Sequence, residues 1–275
     1  MSSRSRTAKV WKAVGVVAVL VFSLFPVFMM VSTAVDVHAN DGSRNLIPTS
    51  FTLDNFRFVL DEGNFTTYLR NSVIVSLGTV LISGLVALFA SVGVARFRFR
   101  FRTSVLVMIL IVQMVPLEAL VIPLFLQAKT LGLLNHLFGL VVVYVAFSLP
   151  FAIWTLRGFV AAIPVEIEEA AYVDGASWFR MFWSILFPLV APGLVAVSVF
   201  SFITAWNEFI FAITFMNDPE KYTVAAGLRQ FFSQYGTNWG AVMAGSTLIT
   251  LPVMLFFVVV QRKLSSGLAS GAVKG

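Results

Sequence analysis

Charged residues are scarce in this chain of 275 residues, and cysteine is absent altogether. Only 12% of the residues are charged, against roughly 25% in an average soluble protein, and 59% are apolar. A soluble enzyme or a nucleic-acid-binding domain of this length needs a charged surface, so the composition excludes both, and it also excludes a disordered chain. Without cysteine there is no disulfide, no thiolate metal site and no cysteine nucleophile.

Histidines and phosphate-binding motifs are also missing from the places where chemistry would need them. The only two histidines, His38 and His136, lie in separate polar segments and in no metal-binding motif, so we interpret them as surface or turn residues. There is no G-x-x-x-x-G-K-[ST] motif, so the sequence contains no phosphate-binding loop for a nucleotide. No nucleophile with a histidine base is available in the apolar stretches. The chain is predicted to be non-catalytic and to hold no cofactor or metal.

Long apolar stretches are what the chain has in abundance. Six of them reach the length of about 20 residues that a helix needs to cross a bilayer, and they are too long for the strands of a membrane barrel. They predict an all-α polytopic membrane protein with one transmembrane domain over 13–261. The six predicted spans are 13–35, 72–95, 103–128, 137–157, 189–215 and 240–260.

The first stretch has a second interpretation, a secretory signal peptide, because basic residues precede it and 37–39 resembles a cleavage site. Its apolar part runs from Ala13 to Val35, which is far longer than the 7–15 residues of a signal-peptide core. We therefore predict an uncleaved first span.

The distribution of basic residues predicts the orientation of the spans. Placing both termini in the cytoplasm puts thirteen of the 19 Lys and Arg residues inside and six outside, as the positive-inside rule requires. The cytoplasmic termini are then 1–12 and 262–275. Arg and Phe alternate over 96–102, which resembles a strand or an RNA-binding patch, but between two spans we interpret it as a tight cytoplasmic loop.

The cytoplasmic segment 158–188, between the fourth and fifth spans, carries the clearest local signals. Pro164 suits the start of a helix, and three glutamates follow in its first turns, where the helix dipole favours anions. Asp174-Gly175 predicts a helix end with a positive φ at the glycine. Ser177 can cap a second helix, whose aromatic residues predict that it lies along the membrane. A plain amphipathic connector would show similar signals.

The spacing within this segment resembles the EAA motif of ATP-binding-cassette (ABC) importer permeases, E-A-A-x3-G-x9-I-x-L-P. Glu169-Ala170-Ala171, Gly175, Ile185 and Pro188 match it, and Phe187 replaces the usual Leu. Further matches are Pro150-Phe151, Leu156-Arg157-Gly158-Phe159, Ile163-Pro164, Asp174-Gly175-Ala176-Ser177, Pro188-Leu189, Pro192-Gly193, Ala205-Trp206-Asn207-Glu208-Phe209 and Gly271-Ala272-Val273-Lys274-Gly275. Over roughly 68–275 the chain resembles the MalG-type permease subunits of carbohydrate importers.

This resemblance implies a function and a set of partners. Such a subunit pairs with a second, different permease subunit in the bacterial cytoplasmic membrane, on two ATPase subunits that bind ATP and Mg. It receives sugar from an extracytoplasmic binding protein or lipoprotein. The segment 158–188 would hold the coupling helix that docks on an ATPase. The implied coupling residues are Glu169, Ala170, Ala171, Asp174, Gly175 and Ala176.

The substrate is not encoded in any motif of the sequence. A disaccharide such as maltose or trehalose is our preferred prediction, and a sugar phosphate or glycerol phosphate stays open. A stand-alone secondary transporter or channel, or a membrane enzyme, are competing classes, which co-purification with an ATPase subunit would exclude.

Two carboxylates fall inside predicted spans, where a charge is costly and rarely faces lipid. Glu118 lies between Pro116 and Pro123, which predict a broken or kinked helix, so it marks the translocation path or pairs with a neighbour near the surface. Trp206, Asn207 and Glu208 could contact a sugar in that path. The alternative for Glu208 is an interhelical hydrogen-bond cluster.

Predictions for two further regions, 216–239 and 262–275, complete the sequence analysis. Segment 216–239 is predicted to face outside and to meet the binding protein, because it is rich in aromatic residues; anchoring at the membrane interface is the alternative. These aromatic residues are Phe231, Phe232, Tyr235 and Trp239. The tail 262–275 is predicted to be flexible and to contact the ATPase pair, or to serve only as a disordered basic end.

Overall fold

The structure, a computed structural model, describes residues 3–41, 46–233 and 236–271. The described chain is almost entirely helical, which confirms the predicted all-α class. The helices are α1 (Ser3–Ala34), α2 (Asp54–Arg57), α3 (Phe65–Arg96), α4 (Arg102–Val112), α5 (Val121–Thr130), α6 (Leu137–Ala162), α7 (Val165–Val173), α8 (Trp178–Met181), α9 (Phe187–Asn207), α10 (Ile210–Phe215), α11 (Val224–Gly227) and α12 (Trp239–Gly271). Two-residue strands β1 (Phe232–Ser233) and β2 (Gly236–Thr237) pair antiparallel.

Within the described residues, five helical segments are long and apolar enough to cross a membrane, and a bent pair of shorter helices would make a sixth if it is one span. The five segments are Trp11–Ala34, Phe65–Arg96, Leu137–Ala162, Trp178–Asn207 and Trp239–Gln261. Phe65–Arg96 begins seven residues before the predicted second span, 72–95. Leu137–Ala162 continues five residues past the end of the predicted fourth span, 137–157. The helices are longer than predicted because helical hydrogen bonding continues past the apolar residues that define a span in the sequence.

The predicted third span, 103–128, is not one straight helix. α4 ends at Val112, a 3₁₀ turn covers Leu117–Leu120, and α5 follows, with α4 and the Leu117–Thr130 segment bent by 95°. Pro116 explains the break, because proline restricts the preceding residue and lacks the N–H that a continuing helix would need. The predicted break at the prolines is therefore confirmed, while Pro123 lies inside the first turn of α5, where proline is tolerated.

The predicted fifth span, 189–215, is displaced toward the N-terminus. α8, a π-helical segment (Phe182–Leu186) and α9 form one continuous 30-residue span, which begins at Trp178. It ends at Asn207, and α10 starts as a separate helix. The predicted second helix is therefore not a separate element, because its aromatic residues belong to the first turns of this continuous helix. The non-helical part of the predicted loop 158–188 shrinks to a few residues on each side of α7.

The two ends of the chain are more helical than predicted. α1 begins at Ser3, so most of the predicted N-terminal segment 1–12 is helical. α12 continues to Gly271, so the backbone of the predicted flexible tail 262–275 is helical up to that residue. Residues 272–275 lie outside the described part of the chain.

The described residues divide into two compact units. The first contains 1–65 and 228–251. Within it, the Asn55 side-chain amide donates to the carbonyls of Ala34 (3.0 Å) and Asp36 (3.2 Å), which ties α2 to the end of α1. Phe231 is buried here against Phe58. One of the aromatic residues that predicted a docking loop is therefore a core residue instead.

The second unit contains 66–227 and 252–275. α6 packs along α9, and two apolar clusters fill the space around them. One cluster is built around Leu140, Tyr144 and Phe211, and the other around Leu156 and Phe182. The second cluster extends to α7, so the helix of the predicted EAA loop rests on the apolar core of this unit.

Candidate functional site

α7 is set off from α6 by a proline and closed by a glycine. Pro164 is the residue before the helix, with an extended ψ of 135°, so it stands one position earlier than the sequence predicts. At the other end, the N–H of Ala176 donates to the carbonyl of Ala171 (2.9 Å) and that of Gly175 to the carbonyl of Tyr172 (3.0 Å). This pair of bonds is a Schellman motif, which satisfies the last carbonyls of the helix.

Gly175 has a φ of +80°, as the sequence predicts. A Cβ atom built on it would have no heavy atom within 4 Å, so space does not explain the glycine. The left-handed backbone does, since it costs a residue with a side chain roughly 1–2 kcal/mol. The Ser177 hydroxyl then accepts from the Arg180 N–H (3.4 Å) and caps α8, which fixes the direction in which the chain re-enters the bundle.

The two faces of α7 have opposite surroundings. Within α7 only Glu168 and Ala171 are buried, and the other residues are exposed. Glu169, Ala170, Val173 and Asp174 are one and four positions apart, so these exposed residues share one side, which we call the α7 surface. Val173 leaves 88% of its area exposed, so this surface contains an apolar side chain that a partner can bury.

The predicted coupling residues are therefore not equivalent. Glu169, Ala170 and Asp174 lie on the α7 surface, and Gly175 holds the turn beside it. Ala171 and the half-buried Ala176 instead join the apolar cluster under the helix. Ala171, one of the coupling residues that the resemblance implies, is therefore buried and does not lie on the α7 surface. No hydrogen bond or ion pair of Glu169 occurs within the described residues, so its carboxylate is available to an external donor.

Sequence reasoning missed the partner of Glu168. Its Oε1 atom lies 2.7 Å from Nε of Arg96, the last residue of α3, and Nη2 of Arg96 donates to the carbonyl of Ile163 (2.9 Å). The two side chains are only 13% and 10% exposed. The sequence shows Glu168 as one of several acids in a helix start and Arg96 as part of a basic loop. No signal within it joins residues 72 positions apart.

Glu208 is enclosed by donors from its own bundle. Its Oε2 accepts from the Tyr144 hydroxyl (2.5 Å) and the Ala212 N–H (3.1 Å), and its Oε1 accepts from the Phe211 N–H (2.9 Å). The carboxylate thus caps α10, which explains why the helix restarts after Asn207 instead of continuing. It also joins α6 to this break. Of the two sequence-based interpretations, this geometry favours the interhelical hydrogen-bond cluster.

Trp206 and Asn207 point to different surroundings. Trp206 is buried, and its ring stacks on Phe202 at 5.4 Å between centroids, so it is a packing residue rather than an open sugar platform. Its Nε1 atom has no hydrogen-bond partner among the described residues. Asn207 is exposed and donates to the carbonyl of Ile203 (2.9 Å), which leaves its side-chain oxygen available.

Glu118 lies in the 3₁₀ turn at the elbow between α4 and α5, and it is exposed. It belongs to the same unit as Glu208, and within the described residues no hydrogen bond joins its carboxylate to the groups that bind Glu208. An exposed carboxylate at a broken helix is accessible to solvent or to a partner. Within the described residues, no group of His, Asp or Glu is arranged to hold a metal ion.

The segment that follows α10 is held by two asparagines. The side-chain oxygen of Asn135 accepts from the backbone N–H of Asn217 (2.6 Å) and Asp218 (3.2 Å). The amide of Asn71 donates to the carbonyls of Glu220 (2.8 Å) and Tyr222 (2.9 Å). These bonds hold the first part of the predicted external segment 216–239 against α3 and the start of α6. Tyr235, one of its four aromatic residues, lies outside the described residues.

Comparison with known proteins adds relatives to this geometry. Residues 83–270 match the model of a family described as "Binding-protein-dependent transport system inner membrane component". The chain is 40% identical, over 99% of both chains, to the diacetylchitobiose uptake system permease protein DasC of Streptomyces coelicolor. It is 33% identical, over 98% of this chain and 99% of the other, to the trehalose transport system permease protein SugB of Mycobacterium tuberculosis.

The fold also has a solved counterpart. A crystal structure of a bacterial ABC transporter involved in the import of the acidic polysaccharide alginate contains a chain that superposes with a TM-score of 0.80. The match covers 95% of this chain and 98% of that chain at 22% identity. At this identity the likeness speaks for the fold alone.

Proposed function

The chain belongs to the family of inner-membrane components of binding-protein-dependent transport systems, and on that premise we propose that it is a permease subunit of a disaccharide importer. As a permease subunit of an ABC importer it is non-catalytic, and it works with a substrate-binding protein and ATPase subunits in the inner membrane. The proposal adds a substrate class, a route of coupling and a subunit arrangement to that statement.

The observation that carries the coupling route is the α7 surface. A short helix between two spans presents an unpaired carboxylate and an exposed valine on one side, while its other side rests on the apolar core of the unit. Such a helix can bind a partner and transmit its displacement, because the bundle behind it is packed. We assign this surface to an ATPase subunit that binds ATP and Mg. Closure of the ATPase pair then drives alternating access by rigid-body movement.

The subunit arrangement follows from the same premise. We assign a second, different permease subunit as the partner in the membrane, two ATPase subunits on the cytoplasmic side, and an extracytoplasmic sugar-binding protein or lipoprotein. Large apolar side chains cover much of the described spans, and α1 has none of its span buried. These exposed faces have to be covered by lipid or by the second permease subunit.

The substrate class rests on the relatives. Diacetylchitobiose and trehalose, named for two of them, are both composed of two sugar units. We therefore propose a neutral disaccharide such as trehalose or maltose. Asn207 and Glu118 stay candidates for the substrate path because both are exposed beside helix breaks. Trp206 and Glu208 are assigned to packing and capping.

The test is reconstitution of the complete complex in proteoliposomes with ATP inside. Uptake of labelled trehalose, maltose and diacetylchitobiose should require both the binding protein and ATP, and glycerol 3-phosphate should not be taken up. Omitting the ATPase subunits is the matched control. Uptake that persists without them would contradict the importer and favour a secondary transporter, and uptake of glycerol 3-phosphate alone would contradict the disaccharide.

Orientation can be tested separately, since the chain has no cysteine. Single cysteines introduced by Ser233→Cys and Ser104→Cys should react with an impermeant thiol reagent from opposite sides of the membrane. Labelling of both from one side would contradict the proposed orientation, with both termini in the cytoplasm.

A further inference from the structure

The ion pair between Arg96 and Glu168 is the least expected contact of the second unit. Two other ion pairs are found within the described residues, His38 with Asp41 and Arg57 with Asp54, and both are exposed. The Arg96–Glu168 pair is instead nearly buried, with a separation of 2.7 Å between Nε and Oε1. A buried pair is a poor general stabiliser, because removing two charges from water offsets most of their attraction. Its best-attested use is to fix one particular register of the elements that it joins.

The guanidinium of Arg96 makes contacts on both sides of the corner between α6 and α7. Nε binds the carboxylate of Glu168 within α7, and Nη2 binds the carbonyl of Ile163, the residue after α6. Arginine suits this role because its planar group holds several donors in a fixed fork, whereas lysine carries its three donors on one compact, flexible ammonium. Arg96 also ends α3, where the helix dipole favours a cation. These contacts attach the corner to α3, although α3 lies far from it in the sequence.

Glu168 and Glu169 therefore have different surroundings although they are adjacent in one short helix, about 100° apart around its axis. The exposed carboxylate of Glu169 is available to a docked ATPase, while the buried carboxylate of Glu168 is held by α3. A displacement of α7 would reach α6 and α9 along the chain, but it would reach α3 only across this contact and the apolar packing beside it. We propose that Arg96 and Glu168 are positioning residues, and that their contact transmits the movement of α7 to α3.

This inference rests on the proposed function, and its test uses the complete complex with binding protein and ATP. Arg96→Gln and Glu168→Gln each remove one charge with little change in volume. Both variants should retain the ATPase subunits on purification, while stimulation of ATP hydrolysis by the loaded binding protein falls at least tenfold. Arg96→Lys keeps the charge but loses the fork, and should show an intermediate loss. Arg98→Gln, which changes an exposed arginine of the same loop, is the matched control and should stay within twofold of the original chain.

A covalent replacement of the contact separates transmission from folding. The double variant Arg96→Cys/Glu168→Cys should be uncoupled, and a short bifunctional thiol reagent should restore at least a third of the stimulated hydrolysis. Because this chain has no other cysteine, a crosslink within it is specific to this pair.

Two results would overturn the inference. Wild-type stimulation in Arg96→Gln and Glu168→Gln would show that the contact transmits nothing. Loss of the ATPase subunits in every variant, without recovery on crosslinking, would show that the pair serves only the fold. Failure of the original chain itself to bind ATPase subunits would instead contradict the proposed function, so the two failures are distinguishable.

Discussion

The break at Glu208 and the α7 surface place a carboxylate in opposite situations within one unit. At Glu208, a hydroxyl and two backbone N–H groups occupy the carboxylate. At Glu169, the carboxylate has no partner among the described residues and is exposed. A carboxylate inside an apolar span suggests a functional group in the sequence, yet here the internal one maintains the fold and the external one is free to bind. What distinguishes the two carboxylates is whether internal donors already bind them, and not whether they lie within a span.

This contrast predicts the largest loss of stability at Glu208. Glu208→Ala leaves three donors unpaired, and each unpaired buried donor costs about 1–3 kcal/mol, so we expect a loss of roughly 3 kcal/mol or more. Thermal unfolding of the detergent-solubilised subunit measures it. Glu208→Gln, which keeps one acceptor oxygen, is the matched control and should lose less. Equal stability of Glu208→Ala and the original chain would contradict the claim that the hydrogen bonds of Glu208 stabilise the fold.

Glu169 should behave in the reverse manner. Glu169→Lys should unfold at the original temperature, because no described internal contact is lost, and yet weaken ATPase attachment or stimulation. A hydrogen bond to a charged group contributes about 1.5–3 kcal/mol, which is a change of at least tenfold in a docking equilibrium. Affinity of the purified ATPase subunit for the permease pair provides the measurement, with Glu166→Gln as a control on the same helix. Unchanged affinity would assign docking to other residues.

Gly175 sharpens the comparison, since it supports the α7 surface without belonging to it. Gly175→Val forces a β-branched side chain into a φ of +80°, at a cost of about 1–2 kcal/mol or a rotated α8. Insertion into the membrane should be normal and transport should be lost. Gly175→Asn is the matched control, because asparagine adopts this backbone conformation far more readily. If both variants transport equally, the geometry of the turn does not matter for coupling.

Tyr144→Phe should give the smallest effect. It removes one donor from Glu208 and leaves the two backbone donors in place, so a loss of about 0.5–1.5 kcal/mol is expected from thermal unfolding. In combination with Glu208→Ala, the second change should add little, because the bond is already gone. Full additivity of the two losses would show that Tyr144 and Glu208 act independently.

Local signals in the sequence predicted much of this arrangement correctly. An aspartate and a glycine after a short helix predict the turn at Gly175, because only a few residues adopt its backbone conformation. The proline at 116 predicts the broken third span, since it removes a donor and restricts its neighbour. The inward position of Ala171 did not follow from such signals, because it shares a side of the helix with Glu168, whose partner Arg96 lies 72 positions away.

Long-range partners were beyond this kind of reasoning. Arg96 and Glu168 are each unremarkable within their own segments, and only the fold brings them to 2.7 Å. The start of the fifth span at Trp178 was misjudged for a different reason. Its aromatic residues suit a separate interfacial helix and the first turns of a span equally well. Trp178 and Phe179 are exposed, and it is Phe182, buried against Phe89, that ties these turns to the bundle.

The dimensions of α3 give the Arg96 contact a mechanical meaning. The helix has 32 residues and no proline, and at 1.5 Å per residue it is about 48 Å long, well beyond the roughly 30 Å of the bilayer core. Arg96 holds α7 at one end, and near the other Asn71 holds the backbone of Glu220 and Tyr222. If the Arg96 contact transmits movement as we propose, α3 would tilt as one rigid helix, since it contains no proline that would let it kink. A tilt of about 10° would shift each end by about 4 Å, so an event on one side of the membrane would be felt on the other without any change inside the helix.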